Sequence, residues 1–193
     1  MYIQRSRDSP LEIFLSLTTY TNYQRYRDAF LLTIPHIGRF KAVTIRSGSS
    51  RPGSSRHLLA LAEHLRSPAP LLERLELVVY GQRPLVIEGI LFDGNLPSLR
   101  ELHLLGLATN LPRRSLQNLT TVDFRQVPDH EPSVTEFLDL FECAPLLREI
   151  KLVHSLPASS NAPAERTVFL AHLRALEIYA QPPHSILFTS QLV

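Results

Sequence analysis

The 193-residue chain contains one cysteine, one methionine, no tryptophan, seven glycines and, among its 20 basic residues, only two lysines, Lys41 and Lys151. Each shortage excludes something. Cys143 alone cannot close an internal disulfide, so a disulfide-stapled secreted scaffold is excluded and an intracellular location, cytoplasmic or nuclear, is expected. The few glycines form no Gly-x-Ser-x-Gly elbow, no Gly-x-Gly-x-x-Gly turn and no phosphate-cradling P-loop. Long apolar runs are missing too. The N-terminal segment has none beyond about five residues, against about 7–15 for a signal peptide core, and no stretch approaches the ~20 residues of a membrane span. The sequon Asn118-Leu119-Thr120 therefore reads as chance. Neither sign of charge dominates, with 20 basic and 18 acidic residues and a formal net charge of +2. A phosphate-tracking surface needs a basic excess, so neither nucleic acid nor membrane is an expected partner.

The eight histidines show no His-Glu-x-x-His spacing, and one cysteine gives no Cys-x-x-Cys, so no metal or other cofactor is expected. His57 and His64, seven apart near one helical face, lack a carboxylate or thiol at a suitable place. Cys143 with His154 or His172 is a conceivable nucleophile and base. But Cys143 follows the apolar face Phe137, Leu138, Phe141 and precedes Ala144-Pro145, the setting of a small core residue. Enzymatic activity is not expected.

What the chain does have is one phrase, repeated. Pro70-Leu-Leu72-Glu-Arg-Leu75-Glu-Leu77, Pro97-Ser-Leu99-Arg-Glu-Leu102-His-Leu104 and Pro145-Leu-Leu147-Arg-Glu-Ile150-Lys-Leu152 share Pro-x-Leu-x-x-Leu-x-Leu. Leu119-Thr-Thr-Val122-Asp-Phe124, Leu173-Arg-Ala-Leu176-Glu-Ile178 and Phe40-Lys-Ala-Val43-Thr-Ile45 keep the apolar frame without the proline. From Leu72 the first leucines follow at intervals of 27, 20, 28 and 26 residues, in or near the range of leucine-rich repeats. Alternation within each phrase predicts a short strand. Leu11-Glu-Ile13-Phe-Leu15 is a possible seventh.

Helical spacing separates some of these strands. Leu58, Leu61, Ala62 and Leu65 recur at i, i+3, i+4, i+7, and so do Val134, Phe137, Leu138 and Phe141. Ser133-Val-Thr-Glu136 reads as a capping box, and Pro70 and Pro145 end helices and pre-set the turn into the next strand. Upstream, Tyr23, Tyr26 and Phe30 share a helical face that ends at Pro35. The link Leu111–Ser115 is too short for a helix and predicts an irregular turn. Arg46–Arg56, rich in Ser, Gly and Arg, predicts a flexible loop. The expected fold is α/β: one domain over 1–193, an irregular leucine-rich-repeat solenoid of about six repeats. A parallel sheet lines its concave face, with helices or turns on the convex face.

Parallel stacking would align the outward residues in columns about 4.8 Å apart per strand. One column reads Glu76, His103, Asp123, Lys151, Glu177, acid alternating with potential base. It is either a self-complementary solvated ladder or a partner-contacting surface. The next reads Val78, Leu105, Arg125, Val153, Tyr179, either an apolar stripe with hot-spot residue types or strand ends covered by loops. These ten residues are the candidate partner-binding set.

The segment Arg5-Ser-Arg-Asp-Ser-Pro10-Leu-Glu-Ile13, the aromatic helix after it, Ile37-Gly-Arg-Phe40, the Leu-rich helix and the Ala-Pro-Leu-Leu phrases resemble the repeat region of fungal, basidiomycete-type F-box proteins with leucine-rich repeats. The resemblance spans roughly residues 5 to 180. It implies a substrate receptor of a cullin-based ubiquitin ligase, in which the repeats hold a target protein and the F-box docks on a Skp-type linker. The family's F-box precedes the segment that starts here, and Leu111-Pro112-Arg-Arg-Ser-Leu116 lies between repeat strands instead. Linker docking is therefore expected only if an F-box lies upstream. With no polar cap evident in Ile186–Val193 either, the chain is expected to be a fragment at one or both ends. The other expectation is a free-standing repeat scaffold or decoy with no ligase link.

Overall fold

In a computed structural model, which describes residues 6–18, 23–48, 54–81, 85–126, 134–155 and 166–179, the repeated phrases share one local geometry. The first leucine of each closes a turn on the residue three before it. Leu72, Leu99, Leu119, Leu147 and Leu173 donate their N–H to the carbonyls of Ala69, Leu96, Leu116, Ala144 and Leu170 at 3.0–3.2 Å. Pro70, Pro97 and Pro145 occupy the second position of that turn, where a fixed φ near −65° is already correct. The two residues after the leucine then share one carbonyl of the preceding phrase. Arg100 and Glu101 donate to Glu73 O, Thr120 and Thr121 to Arg100 O, Arg148 and Glu149 to Thr120 O, and Arg174 and Ala175 to Arg148 O.

From these turns run strands β1 (Leu11–Thr18), β2 (Phe40–Gly48), β3 (Arg74–Tyr80), β5 (Glu101–Leu105), β7 (Thr121–Arg125), β8 (Glu149–Val153) and β9 (Ala175–Tyr179). They form a seven-stranded sheet in the order β1-β2-β3-β5-β7-β8-β9 with every pair parallel. Helices α1 (Tyr23–Leu31), α2 (Ser54–Ala62) and α3 (Val134–Glu142) lie in the links. The protein is thus α/β around a parallel sheet, and the possible seventh strand is present as β1.

The exits of three strands also match. Gly106, Gln126 and His154 have φ of +67°, +49° and +49°, and their N–H groups donate to Arg125 O, Val153 O and Tyr179 O at 2.8 Å. At Gly106 the backbone of β3 comes so close that an added Cβ would lie 2.3 Å from Val79 O. Only glycine fits there without strain.

One face of the sheet makes the core. Its rows are Ile13, Val43, Leu75, Leu102, Val122, Ile150, Leu176 and Leu15, Ile45, Leu77, Leu104, Phe124, Leu152, Ile178. Leu58, Leu61, Ala62 and Leu65 cover them from α2 and the turn after it, and Phe137, Leu138 and Phe141 from α3, all at most 1% exposed. Each fully buried leucine of this kind contributes about 1.5–3 kcal/mol. Burial fails at the last strand, where Leu176 is 37% exposed.

Three expectations need correction. Arg46–Gly48 belongs to β2 and Ser54 opens α2, so the loop read as 46–56 narrows at both ends. The reason is that the Ser-Gly-Ser composition masked a strand that keeps pairing with β3 as far as Gly48–Tyr80. The links hold strand as well as helix and turn: β4 (Leu85–Ile90) and β6 (Leu107–Asn110) form a second, two-stranded parallel sheet. Third, Val78 stands in its expected outer row but is covered there, 6% exposed. The link at Leu111–Ser115 does turn irregularly, as a 3-10 turn at Arg113–Ser115. Ser133 of the expected capping box lies outside the described residues.

Candidate outer-face site

Register places all ten candidate residues in the expected columns. Glu76, His103, Asp123, Lys151 and Glu177 are successive partners across β3, β5, β7, β8 and β9, and Val78, Leu105, Arg125, Val153 and Tyr179 form the neighbouring row. Both rows extend into strands that the candidate set omitted, through Thr44 to Phe14 and through Arg46 to Ser16.

The charges pair differently from the expected ladder. Lys151 does bond its register neighbour Glu177, which holds the Lys151 ammonium above its ordinary pKa, and its Nζ lies 5.8 Å from the Tyr179 ring centroid. Asp123, however, does not wait for Lys151. Arg125, two residues along the same strand, donates Nε and Nη2 to its two oxygens at 2.7 and 2.6 Å, which raises the guanidinium pKa further. Glu76 is held by Arg46, diagonally across on β2, at 2.8 and 2.7 Å, while Arg46 also lies 5.7 Å from the Phe14 ring centroid. His103 sits between carboxylates, Nδ1 3.8 Å from Asp123 and Nε2 3.7 Å from Glu101, distances long for hydrogen bonds. Glu101 is itself gripped by Arg74 at 2.5 and 3.1 Å, which holds its carboxyl below the usual range.

The two rows meet in a depression of about 310 Å³. Val78 and Leu105 lie side by side in it, with Arg46 next to Val78 and Arg125 next to Leu105 in register. Tyr80 stands at the same depression, its ring against Gly48, where an added Cβ would lie 2.8 Å from Tyr80 Cδ2. An apolar floor between two arginine–carboxylate pairs, with Phe14, Tyr80 and Tyr179 more than half exposed on the same face, can take both apolar and charged groups. Val78 is buried as part of that floor, not as part of the core on the other face.

Sequence reasoning missed Arg46, Tyr80 and Phe14. A signal for Arg46 existed: extending the frame Phe40-x-x-Val43-x-Ile45 by one residue puts it in the Val78 row. The other candidates separate. Cys143 packs half-buried against the core. His154 follows β8 at positive φ, His172 lies exposed in the turn before β9, and Cys143 packs against the core on the helix side. His57 stacks on Tyr23 with ring centroids 3.8 Å apart. Asn118 and Thr120 of the sequon bond Pro97 O and Arg100 O. Among the described residues no group of three or more His, Cys, Asp or Glu side chains is arranged to hold a metal ion. No described helix is long and apolar enough to cross a membrane. Compared with protein-family models, curated proteins and solved structures, the chain matches none of them.

Proposed function

We propose that the chain is a non-catalytic protein-binding module, a leucine-rich-repeat solenoid whose outer sheet face takes a target protein. In this reading it is the target-recognition region of an F-box-type ubiquitin ligase receptor acting inside the cell. The observation that carries the reading is the unbroken register of two outer rows across seven strands, edged by exposed Phe14, Tyr80 and Tyr179. Aromatic and arginine side chains around a desolvated apolar centre are the usual energetic core of protein interfaces. The quoted segments that carry the family resemblance also adjoin: Arg39 donates to Ser9 O at 2.6 and 3.1 Å and to Ser6 Oγ at 2.8 Å.

The test is affinity purification of the chain from its own cells after cross-linking, beside the triple variant Arg46→Glu, Arg125→Glu, Tyr179→Ala. Partner proteins should be lost from the variant while its unfolding midpoint stays close to that of the parent. Equal recovery of the same partners by both proteins would overturn the outer face as the binding surface.

The second reading is a free-standing scaffold or decoy. The same outer face would serve it with no ligase link. A Skp-type linker in the purified complex supports the ligase reading; target recovered without any linker supports the scaffold.

A further inference from the structure

The turns that feed the strands carry two further columns. The residue before each turn-closing leucine gives Leu71, Ser98, Asn118, Leu146 and His172, and the residue after it gives Glu73, Arg100, Thr120, Arg148 and Arg174. The backbone fixes their neighbours, because Thr120 donates its N–H to Arg100 O and Arg148 donates its N–H to Thr120 O, both at 2.8 Å. Arg100 and Arg148 therefore start on either side of Thr120, about 10 Å apart at two strand spacings. A short side chain between two long ones leaves a slot. It is a hollow of about 150 Å³ lined by Arg100, Asn118, Thr120, Leu146, Arg148 and His172, at the entry ends of the strands and apart from the outer depression.

Formal charge in this lining has one sign. Neither Arg100 nor Arg148 makes an ion pair or side-chain hydrogen bond among the described residues, whereas Arg46 and Arg125 of the outer face are each held by a carboxylate. The carboxylates that follow them in sequence, Glu101 and Glu149, stand in register with Thr121 in the adjoining row, and neither lines the hollow. Glu101 is already gripped by Arg74. Thr120 Oγ1 donates to Arg100 O at 3.1 Å and Asn118 Nδ2 to Pro97 O at 2.7 Å, which leaves the second Asn118 amide N–H for a ligand.

Each guanidinium offers planar pairs of N–H donors that match two oxygens of an anion. A carboxylate has two oxygens and is satisfied by one such fork. A phosphate ester has three acceptor oxygens and nearly two negative charges, and so can use both. The hollow is smaller than the roughly 300–1,000 Å³ of a pocket for a whole small molecule. It suits a head group, with the rest of the ligand left outside against Leu146, which is 40% exposed.

We propose that this hollow binds a phosphate monoester, with Arg100 and Arg148 bonding the phosphate from two sides and Asn118 and His172 each donating one further N–H. The site lies at the turns and is independent of the outer-face reading.

The test is calorimetric titration of the full chain, at constant ionic strength, with phenyl phosphate, inorganic phosphate and benzoate. Phenyl phosphate should bind one-to-one and tightest of the three, and Leu146→Ala should reduce its advantage over inorganic phosphate. Arg100→Ala and Arg148→Ala should each weaken it about tenfold, the loss of one charged hydrogen-bonding group. Arg25→Ala, exposed on α1, should change nothing. Should either arginine variant unfold, Arg148→Lys carries the test, since it keeps the charge but loses the fork, with an expected several-fold loss. Equal affinity for phenyl phosphate and inorganic phosphate overturns the ester, and benzoate binding as tightly as phenyl phosphate overturns the phosphate head. Saturable binding of none of the probes, or phenyl phosphate affinity unchanged in the Arg100 and Arg148 variants, overturns the site.

Discussion

Val78 and Val79, consecutive residues of β3, are both buried, on opposite faces of one sheet. Val79 belongs to the core, while Val78 lies outside it on the floor of the outer depression beside Arg46 and Leu105. A carboxylate at position 79 would be stranded in the apolar interior, which costs about 3–5 kcal/mol. At position 78 it would be a register neighbour of Arg46 and close to water. Val79→Asp should therefore unfold the protein or cost about 4 kcal/mol, and Val78→Asp less than about 2 kcal/mol. Urea denaturation of the two variants decides it, and equal losses would mean that the outer depression is no different from core.

Gly106 and Gly38 make a matched pair. Gly106 combines φ of +67° with a Cβ position 2.3 Å from Val79 O, whereas nothing lies within 4 Å of a Cβ at Gly38. Gly106→Ala should cost about 2 kcal/mol or more, because strain and steric clash add. Gly38→Ala should stay within about 0.5 kcal/mol of the parent. Thermal unfolding of both variants checks the contrast.

Leu75 and Leu176 hold the same place in the repeated frame and in the same core row, yet one is fully buried and the other 37% exposed. Leu75→Ala should cost about 2–5 kcal/mol through lost burial and a cavity. Leu176→Ala, at the sheet edge, should cost about 1 kcal/mol. Similar losses in chemical denaturation would show that β9 is covered as fully as β3.

The Arg74–Glu101 pair gives a pH signature. Its hydrogen bonds depress the folded-state pKa of Glu101, so the pair stabilises the fold above the unfolded carboxyl value of about 4.3. That contribution fades as pH falls through the lower folded value. Because the pair is largely exposed, it is worth at most about 1 kcal/mol. Glu101→Gln should be less stable than the parent near neutral pH, with the difference closing in acid. Denaturation midpoints measured across that range check the sign, and a difference that widens in acid would contradict it.

Much of this was legible along the chain because its causes are local. A proline two residues before a leucine pre-sets the turn that Ala69–Leu72, Leu96–Leu99 and Ala144–Leu147 adopt, and alternation sends Leu75 and Leu77 inward and Glu76 outward. Once the phrases stack in parallel, register follows, and the rows from Glu76 to Glu177 and from Val78 to Tyr179 form as read. The helix faces Leu58–Leu65 and Phe137–Phe141 follow from the 3.6-residue period in the same way. Composition misled at both ends of the Ser/Gly-rich segment, where Arg46–Gly48 pair in β2 and Ser54 opens α2.

Tertiary structure alone decided the rest, because long side chains choose partners through space and links of unequal thickness must share one sheet. Nothing in the order of residues tells Arg125 to fold back onto Asp123, or Arg46 to reach Glu76 across a strand, when register offers Asp123 to Lys151. Nor does it place β4 beside β6. The sequence by itself determined the strands of the seven-stranded sheet, their order of phrases and the two faces of that sheet. Which outer residues remain exposed, which are paired and where the packing leaves a hollow depended on how uneven links met over that sheet.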